Sequence, residues 1–348
     1  MTKSLTSIAQ KPVNRRMLLK GTAAAGAMGL SMKVPGAVRA QDTLQIAFSI
    51  PSFAFPFFVH MMNLAEQHVE ELGGIELIPL DGQEAGQPSS TKQTADLEAM
   101  IAQGIDGLVI SPNDVAALAP AIQSVIDAGI PVVTVDRNVE GDIGTLAHVG
   151  ADNVEGGRIQ GRYLLELFPD GAEIFELQGQ PGASAAILRH DGLNEILSEQ
   201  DAVQVIVSQP AGFARAEAVR VTEAALASNP EPAAIVCAND DMAFGAAEVA
   251  QANGLEIPII GFDALPEALI AISEGRMAAT IEQFPGGQAR GAIDILVAYL
   301  RDGAEPAEHD TYLTPALITA DNLGGAERAE EAGLAPAASP AAEATPAG

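Results

Sequence analysis

The chain has 348 residues, with 18 Lys and Arg against 46 Asp and Glu, and one cysteine. A net charge of −28 excludes binding to nucleic-acid phosphates, which needs clustered Lys and Arg, and adhesion to anionic membrane. With one Cys there is no internal disulfide, so packed cores must hold the fold.

Residues 1–40 read as a targeting segment outside the fold. Asn14-Arg15-Arg16-Met17-Leu18-Leu19-Lys20 is a twin-arginine pattern, followed by a weakly apolar run from Gly21 to Met32 and a small residue, Ala40, before Gln41. The run is too short for a permanent membrane span, so no direct insertion is expected after cleavage. Such a signal implies export of an already folded protein, here to the periplasm. The segment holds seven of the 18 basic residues and no acid, so the remaining 308 residues carry 11 basic against 46 acidic groups, or −35. That length suits two domains.

From residue 42 short apolar runs alternate with segments of helical period, a βαβ signature. The runs predict strands at 44–50, 75–80, 107–112, 131–135, 145–150, 173–179, 203–209, 233–238, 258–262, 278–282 and 311–318. Helices are expected over 57–72, 90–103, 114–128, 153–167, 184–199, 213–228, 240–252, 265–274 and 286–302, each bounded by Gly or Pro. Eleven strands exceed what one open sheet usually carries, so two sheets are expected. Cys237 lies in the apolar run Ala233–Ala238 and reads as a buried strand residue, not a nucleophile. The stretch 322–348, rich in Ala, Pro and Glu, has too little bulky apolar content to pack and is expected to be a disordered tail.

Polar and aromatic residues recur where strands end, the edge at which open α/β sheets bind ligands. The run Ile130–Val135 stops at Asp136-Arg137, which offers acceptors beside donors and so suits a ligand covered in hydroxyls. A surface ion pair is the plainer alternative. Phe53-Ala54-Phe55-Pro56-Phe57-Phe58 gathers four of the eleven phenylalanines after the first strand. It reads either as a core-facing helix start or as an aromatic wall for a sugar ring. Arg189, Phe213, Asn239, Phe262-Asp263 and Gln283 follow later strands. Any one Asn or Asp there could be a helix N-cap. Five such strand ends are better explained by convergence on one cleft. No Gly-rich phosphate loop, G-x-S-x-G elbow, H-E-x-x-H motif or Cys-rich metal spacing is present, so no catalytic residue, metal or cofactor is expected.

The motifs Pro56-Phe57-Phe58, Ile130 to Arg137, Asp152-Asn153-Val154-Glu155-Gly156-Gly157, Glu176-Leu177-Gln178-Gly179, Ser184-Ala185-Ala186, Ser208 to Ala211, Asn239 to Ala243, Gly261-Phe262-Asp263 and Ala279 to Gln283 carry a resemblance. The chain resembles a periplasmic sugar-binding protein of the ribose-binding type, the ligand-capturing part of an ABC importer, over about residues 42–320. The resemblance implies an α/β fold of two similar doubly wound parallel-sheet lobes joined by a three-strand hinge, the periplasmic binding protein type I arrangement. Residues 42–150 with 284–311 would form one lobe, and 151–283 with 312–320 the other. By position, Phe57 and Phe58 would stack on one ring face and Phe213 on the other, with Phe262 helping to line the cleft. Asp136, Arg137, Arg189, Asn239, Asp263 and Gln283 would bond the hydroxyls. The implied partners are a small sugar or polyol and the importer's membrane permease, with the protein a monomer that binds no nucleic acid.

Two departures bear on the ligand. Many ribose-type relatives have Asn where this chain has Phe55, and the segment Pro51 to Ala54 is about two residues longer. Phe55 either faces the ligand or turns into the lobe core, with Ser49 or Ser52 supplying a polar contact. The absence of Trp favours a pentose-sized ligand. The rival readings are a receptor presenting a sugar or autoinducer to a chemoreceptor, and a sugar-acting enzyme suggested only by His190-Asp191. A sugar-responsive repressor would need a helix-turn-helix where the export signal stands.

Overall fold

Runs of β-branched residues buried on both faces need helices on either side, which is the physical origin of the architecture. A computed structural model describes residues 43–200 and 202–335. The twin-arginine segment and the stretch from 336 lie outside the described residues.

The first lobe contains β1 (Leu44–Ile50), α1 (Pro56–Leu72), β2 (Ile75–Asp81), a small hairpin β3 (Gln83–Glu84) and β4 (Gln87–Pro88), α2 (Ser90–Gln103), β5 (Gly107–Ile110), α3 (Ala119–Asp127), β6 (Val132–Val135) and β7 (Ala147–Ala151). The second continues with α4 (Asn153–Leu167), β8 (Ala172–Gln178), α5 (Ser184–Ser198), β9 (Val203–Pro210), α6 (Arg215–Ser228), β10 (Ala234–Cys237), α7 (Asp240–Ala252), β11 (Ile259–Ile260), α8 (Pro266–Ser273) and β12 (Thr280–Glu282). The chain then returns through α9 (Pro285–Asp302) and β13 (Asp310–Leu313) before β14 (Ala316–Ile318).

The first sheet has six parallel strands in the order β13-β7-β6-β5-β1-β2, and the second has four in the order β11-β10-β8-β9. Counted from each lobe's first strand, the winding is the same. β12 extends the second sheet through a parallel bridge between Ile260 and Ala279, and pairs antiparallel with β14. The chain therefore passes between the lobes at Asp152, at Gln283–Phe284 and at Thr314–Pro315. Strand alternation sorts the first core: Val133 and Val135 pack with Met61, Ile293 and Leu296 under α1 and α9, while Val132 packs with Leu97 and Ile122 under α2 and α3. Cys237 is buried in the second core, where desolvation raises its thiol pKa, as expected of an inert strand residue.

Three expectations need correction. The single strand 311–318 is two strands in different sheets, because Pro315 cannot donate to a ladder and marks the turn between them. Residues up to Leu313 consequently stay with the first sheet. The helix expected from 114 begins at Ala119, since the Asp114 carboxylate accepts from the amides of Ala116 and Ala117 and holds a turn. Residues 322–335, expected to be disordered, are folded: Ala326 and Ala329 are buried, and Leu323 and Leu334 pack on the second lobe.

Candidate functional site

Backbone geometry distinguishes one edge of the molecule. Asp136 (φ 60°), Phe213 (φ 61°) and Asp263 (φ 109°) sit in the left-handed half of the map, each just beyond a strand. Non-glycine residues there cost of order 1–3 kcal/mol, persist only where surroundings enforce them, and cluster at functional sites. All three line the same cavity, and the Phe213 ring meets Arg137 of the first lobe at 5.3 Å.

The first lobe supplies aromatics and one ion pair. Phe55 precedes α1 in extended backbone and Pro56 opens the helix, so Phe57 and Phe58 fall in its first turn. The rings of Phe57 and Phe58 meet edge-on at 5.2 Å, and Phe55 lies 6.3 Å from Phe58. After β6, Asp136 Oδ2 accepts from Ser111 Oγ at 3.2 Å and faces Arg137 Nε at 3.7 Å. Arg137 Nη1 donates a long 3.3 Å bond to the Asn113 carbonyl, while its buried Nε has no acceptor among the described residues. Burial pushes the Asp136 carboxyl above its usual range against the pull of Arg137 and Arg189, and lowers Arg137 to about 10. Arg137 remains a cation at neutral pH.

The second lobe holds its arginine differently. α5 approaches α4 so closely that a Cβ on Gly157 would collide with the Arg189 carbonyl, and one on Gly192 with that of Val154. This contact aims Arg189 at the cleft. Its Nε donates to Asn153 Oδ1 (2.8 Å), Nη1 to the Ala238 carbonyl (2.6 Å) and Nη2 to Gln283 Oε1 (3.2 Å), and the guanidinium lies 3.6 Å from the Phe262 ring centroid. Gln283 Nε2 in turn donates to Asp263 Oδ1 at 2.6 Å. Burial raises Asp263 to about 8, opposed by Arg189 and reinforced by Asp136. Asn239 does cap α7, accepting from Met242 N, but its amide also donates to the Phe213 carbonyl and fixes that strained residue.

These groups line one small cavity between the lobes. Every expected site residue lines it except Phe262, and Ala185 joins them. Phe262 stands one layer back, fully buried beneath the Arg189 guanidinium. Phe55 both lines the cavity and packs against the cores of the two lobes. Ser49 and Ser52 are engaged within the first lobe, by Gln93 and by Gln83 and Ala54. Across the mouth the lobes touch: Gln180 Nε2 donates to Asn113 Oδ1 (2.8 Å), Val115 N to the Gly182 carbonyl (2.9 Å) and Asn138 N to Ser184 Oγ (3.0 Å). His190 bonds Glu176 Oε1 at 2.7 Å, and Asp191 is exposed, so the pair does not act together at the cavity. Among the described residues no group of His, Cys, Asp and Glu could hold a metal ion.

A model of the periplasmic binding protein domain matches residues 46–305. The chain belongs to the periplasmic binding protein family. Its two doubly wound lobes are the type I arrangement, as in the solved myo-inositol binding protein of Caulobacter bound to myo-inositol. That chain is 36% identical with a TM-score of 0.78, the match covering 85% of this chain and 100% of that one. The ribose import binding protein of Bacillus subtilis is 37% identical over 241 residues, 69% of this chain and 76% of that protein. The ribose import binding protein of Escherichia coli is 34% identical over 261 residues, 74% of this chain and 85% of that protein. No helix among the described residues of this binding protein is long and apolar enough to cross a membrane.

Sequence reasoning missed four residues of this periplasmic binding protein's cleft. Asn153 orients Arg189, Asn113 and Gln180 join the lobes, and Ala185 leaves room in the cavity wall. Asn113 had a usable signal, since it follows β5 at the same sheet edge as Asp136. Gln180 had the same signal, two residues beyond β8, although the pairing of the two across 67 residues had none.

Proposed function

We propose that the protein is an extracytoplasmic solute-binding protein that closes its two lobes on one small cyclic sugar or polyol and delivers it to the permease of an ABC importer. The observation that carries this reading is the pairing of buried Arg137 and Asp136 in one lobe with Arg189 and Asp263 in the other, around a single aromatic-lined cavity. Alternating donors and acceptors match ring hydroxyls, and the rings match C–H faces. Buried charges are tolerable only when paired and hydrogen-bonded, and Arg137 Nε is left for a ligand oxygen. The ribose importers among the relatives support ribose as ligand. Phe55 favours a second reading, a cyclitol or other polyol, because it places an apolar group at the cavity where an Asn would have bonded a hydroxyl. Binding without chemistry is the proposed role, with twin-arginine export delivering the protein to the periplasm as a monomer.

Mass spectrometry of the ligand that co-purifies with the protein, followed by a thermal-shift panel of pentoses, hexoses, pentitols and inositols with overnight product analysis, tests this. A stabilising, unchanged sugar or polyol is expected. Turnover of any panel member would favour an enzyme, and no shift with any of them would remove the reading.

A further inference from the structure

The residue just before Gln283, which lines the cavity, is tied to the segment after β14. Glu282, fully buried, ends β12 immediately before Gln283. Its Oε1 accepts from the amides of Gln283 (2.8 Å) and Phe284 (2.6 Å), and its Oε2 from the amide of Glu327 (2.7 Å). One carboxylate therefore sets the left-handed turn at Phe284 (φ 55°) that orients Gln283, and anchors the C-terminal segment to it. Glu327 reciprocates. α9 has no side-chain cap of its own, and the Glu327 carboxylate accepts from Gly286 N at 3.1 Å in the helix's first turn. A Cβ on Gly286 would occupy the space that this carboxylate fills.

The segment around Glu327 reaches both lobes. On the second, Ala326 and Leu323 pack with Ala264 and Leu269 of α8. On the first, Glu331 lies 3.3 Å from His60 Nδ1 in α1. α1 carries Phe57 and Phe58 in its first turn on one wall of the cavity, and α8 follows Asp263 on the other. The segment thus bridges a helix of each lobe.

We propose that residues 323–334 form a clasp that favours the closed cleft, and that Glu282 is a positioning residue that couples the clasp to Gln283. The inference rests on the reading of the cleft as the ligand site. None of the clasp touches the cavity, yet it acts on ligand release, because closure and clasp seating are one equilibrium.

The test uses the full chain with the double substitution Ala326→Arg, Ala329→Arg, which puts long cations where two buried methyls sit. Rapid tryptic cleavage within the segment reports its release, since Arg328 is largely shielded when seated. Spin labels at Glu98→Cys and Glu223→Cys, exposed in the first and second lobes, report the lobe separation without any ligand. With the segment released, the ligand-free distances shift to longer values, and D-ribose or myo-inositol, whichever binds, leaves at least about fivefold faster, the scale of a lost hydrogen bond. Glu327→Ala, which keeps the segment's amide on Glu282, gives a smaller change of the same sign. Adding Glu282→Gln to the released variant gives less than the sum of the two separate effects. Unchanged distances and unchanged release in a chain shown to have freed its segment overturn the clasp. If the wild type binds neither probe, the proposed function fails, and the ligand-free distances still decide the clasp.

Discussion

The two lobes solve the problem of a buried arginine in opposite ways. Arg189 is built into its lobe: three nitrogens reach Asn153, Ala238 and Gln283, and an aromatic face covers it. Arg137 keeps one long bond, an ion pair at 3.7 Å and an orphaned Nε, lying between Phe58 and Phe213 at 5.5 and 5.3 Å from their ring centroids. A group already satisfied by its own lobe gives a rigid template. A group left partly unsatisfied gains most when a ligand arrives. The second lobe therefore sets geometry, and the first supplies the response to binding.

The largest effect that separates the two is Arg189→Ala. It strands Asn153, Gln283 and Asp263 together, and removing one member of a buried charged network costs about 3–5 kcal/mol. Denaturant unfolding of the ligand-free chain should show this loss, and binding should fail as well. Arg137→Ala and Asp136→Ala should each weaken binding by about 2–5 kcal/mol, roughly 30- to several-thousand-fold. The ligand-free stability of Arg137→Ala should fall by less than about 2 kcal/mol, because the bonds lost within the lobe are few and long and the Asp136 carboxyl, already raised by burial, can take up a proton. Equal stability losses at positions 137 and 189 would erase the contrast.

A third experiment reads the protonation of the second lobe. Asp263 titrates near 8 in the folded protein against an ordinary 3.8, because burial penalises its anion. The folded state thus holds a proton that the unfolded chain releases between those values. The contribution is fully present below 3.8 and is lost as pH rises to about 8. Asp263→Asn has no such titration, so its stability relative to wild type should climb across that window and level off above it. A flat difference would mean that Asp263 is charged throughout.

The smallest effect concerns Phe55, the residue shared by both cores. Phe55→Asn should raise affinity for ligands with a hydroxyl at that edge by about 1–3 kcal/mol relative to those without one. A thermal-shift ranking that leaves ribose first in both proteins would limit Phe55 to packing.

Much of this was legible in the sequence because it follows from local chemistry. Asn239, one of the strand-end residues that could be a helix N-cap, does cap α7. Polar residues at strand ends converge because parallel strands present all their carboxyl ends at one edge. What stayed hidden depends on approach between distant parts. Phe262 looks equivalent to Phe213 in sequence, yet only the position of Arg189 decides which ring meets the cavity. The C-terminal segment looked too poor in bulk to fold, but small size is what lets Ala326 sit against Ala264 and Leu269. The left-handed backbone of Phe213 had no signal, since Phe has no local preference for it.

The central claim is that one ligand lies between the lobes and is held by both arginines. Isothermal titration of the wild type, Arg137→Ala and Arg189→Ala with D-ribose and myo-inositol tests it most directly. One ligand is expected per wild-type chain, with loss of that binding in a folded Arg137→Ala chain. Near wild-type affinity in Arg137→Ala, or no heat from either compound with the wild type, would contradict it.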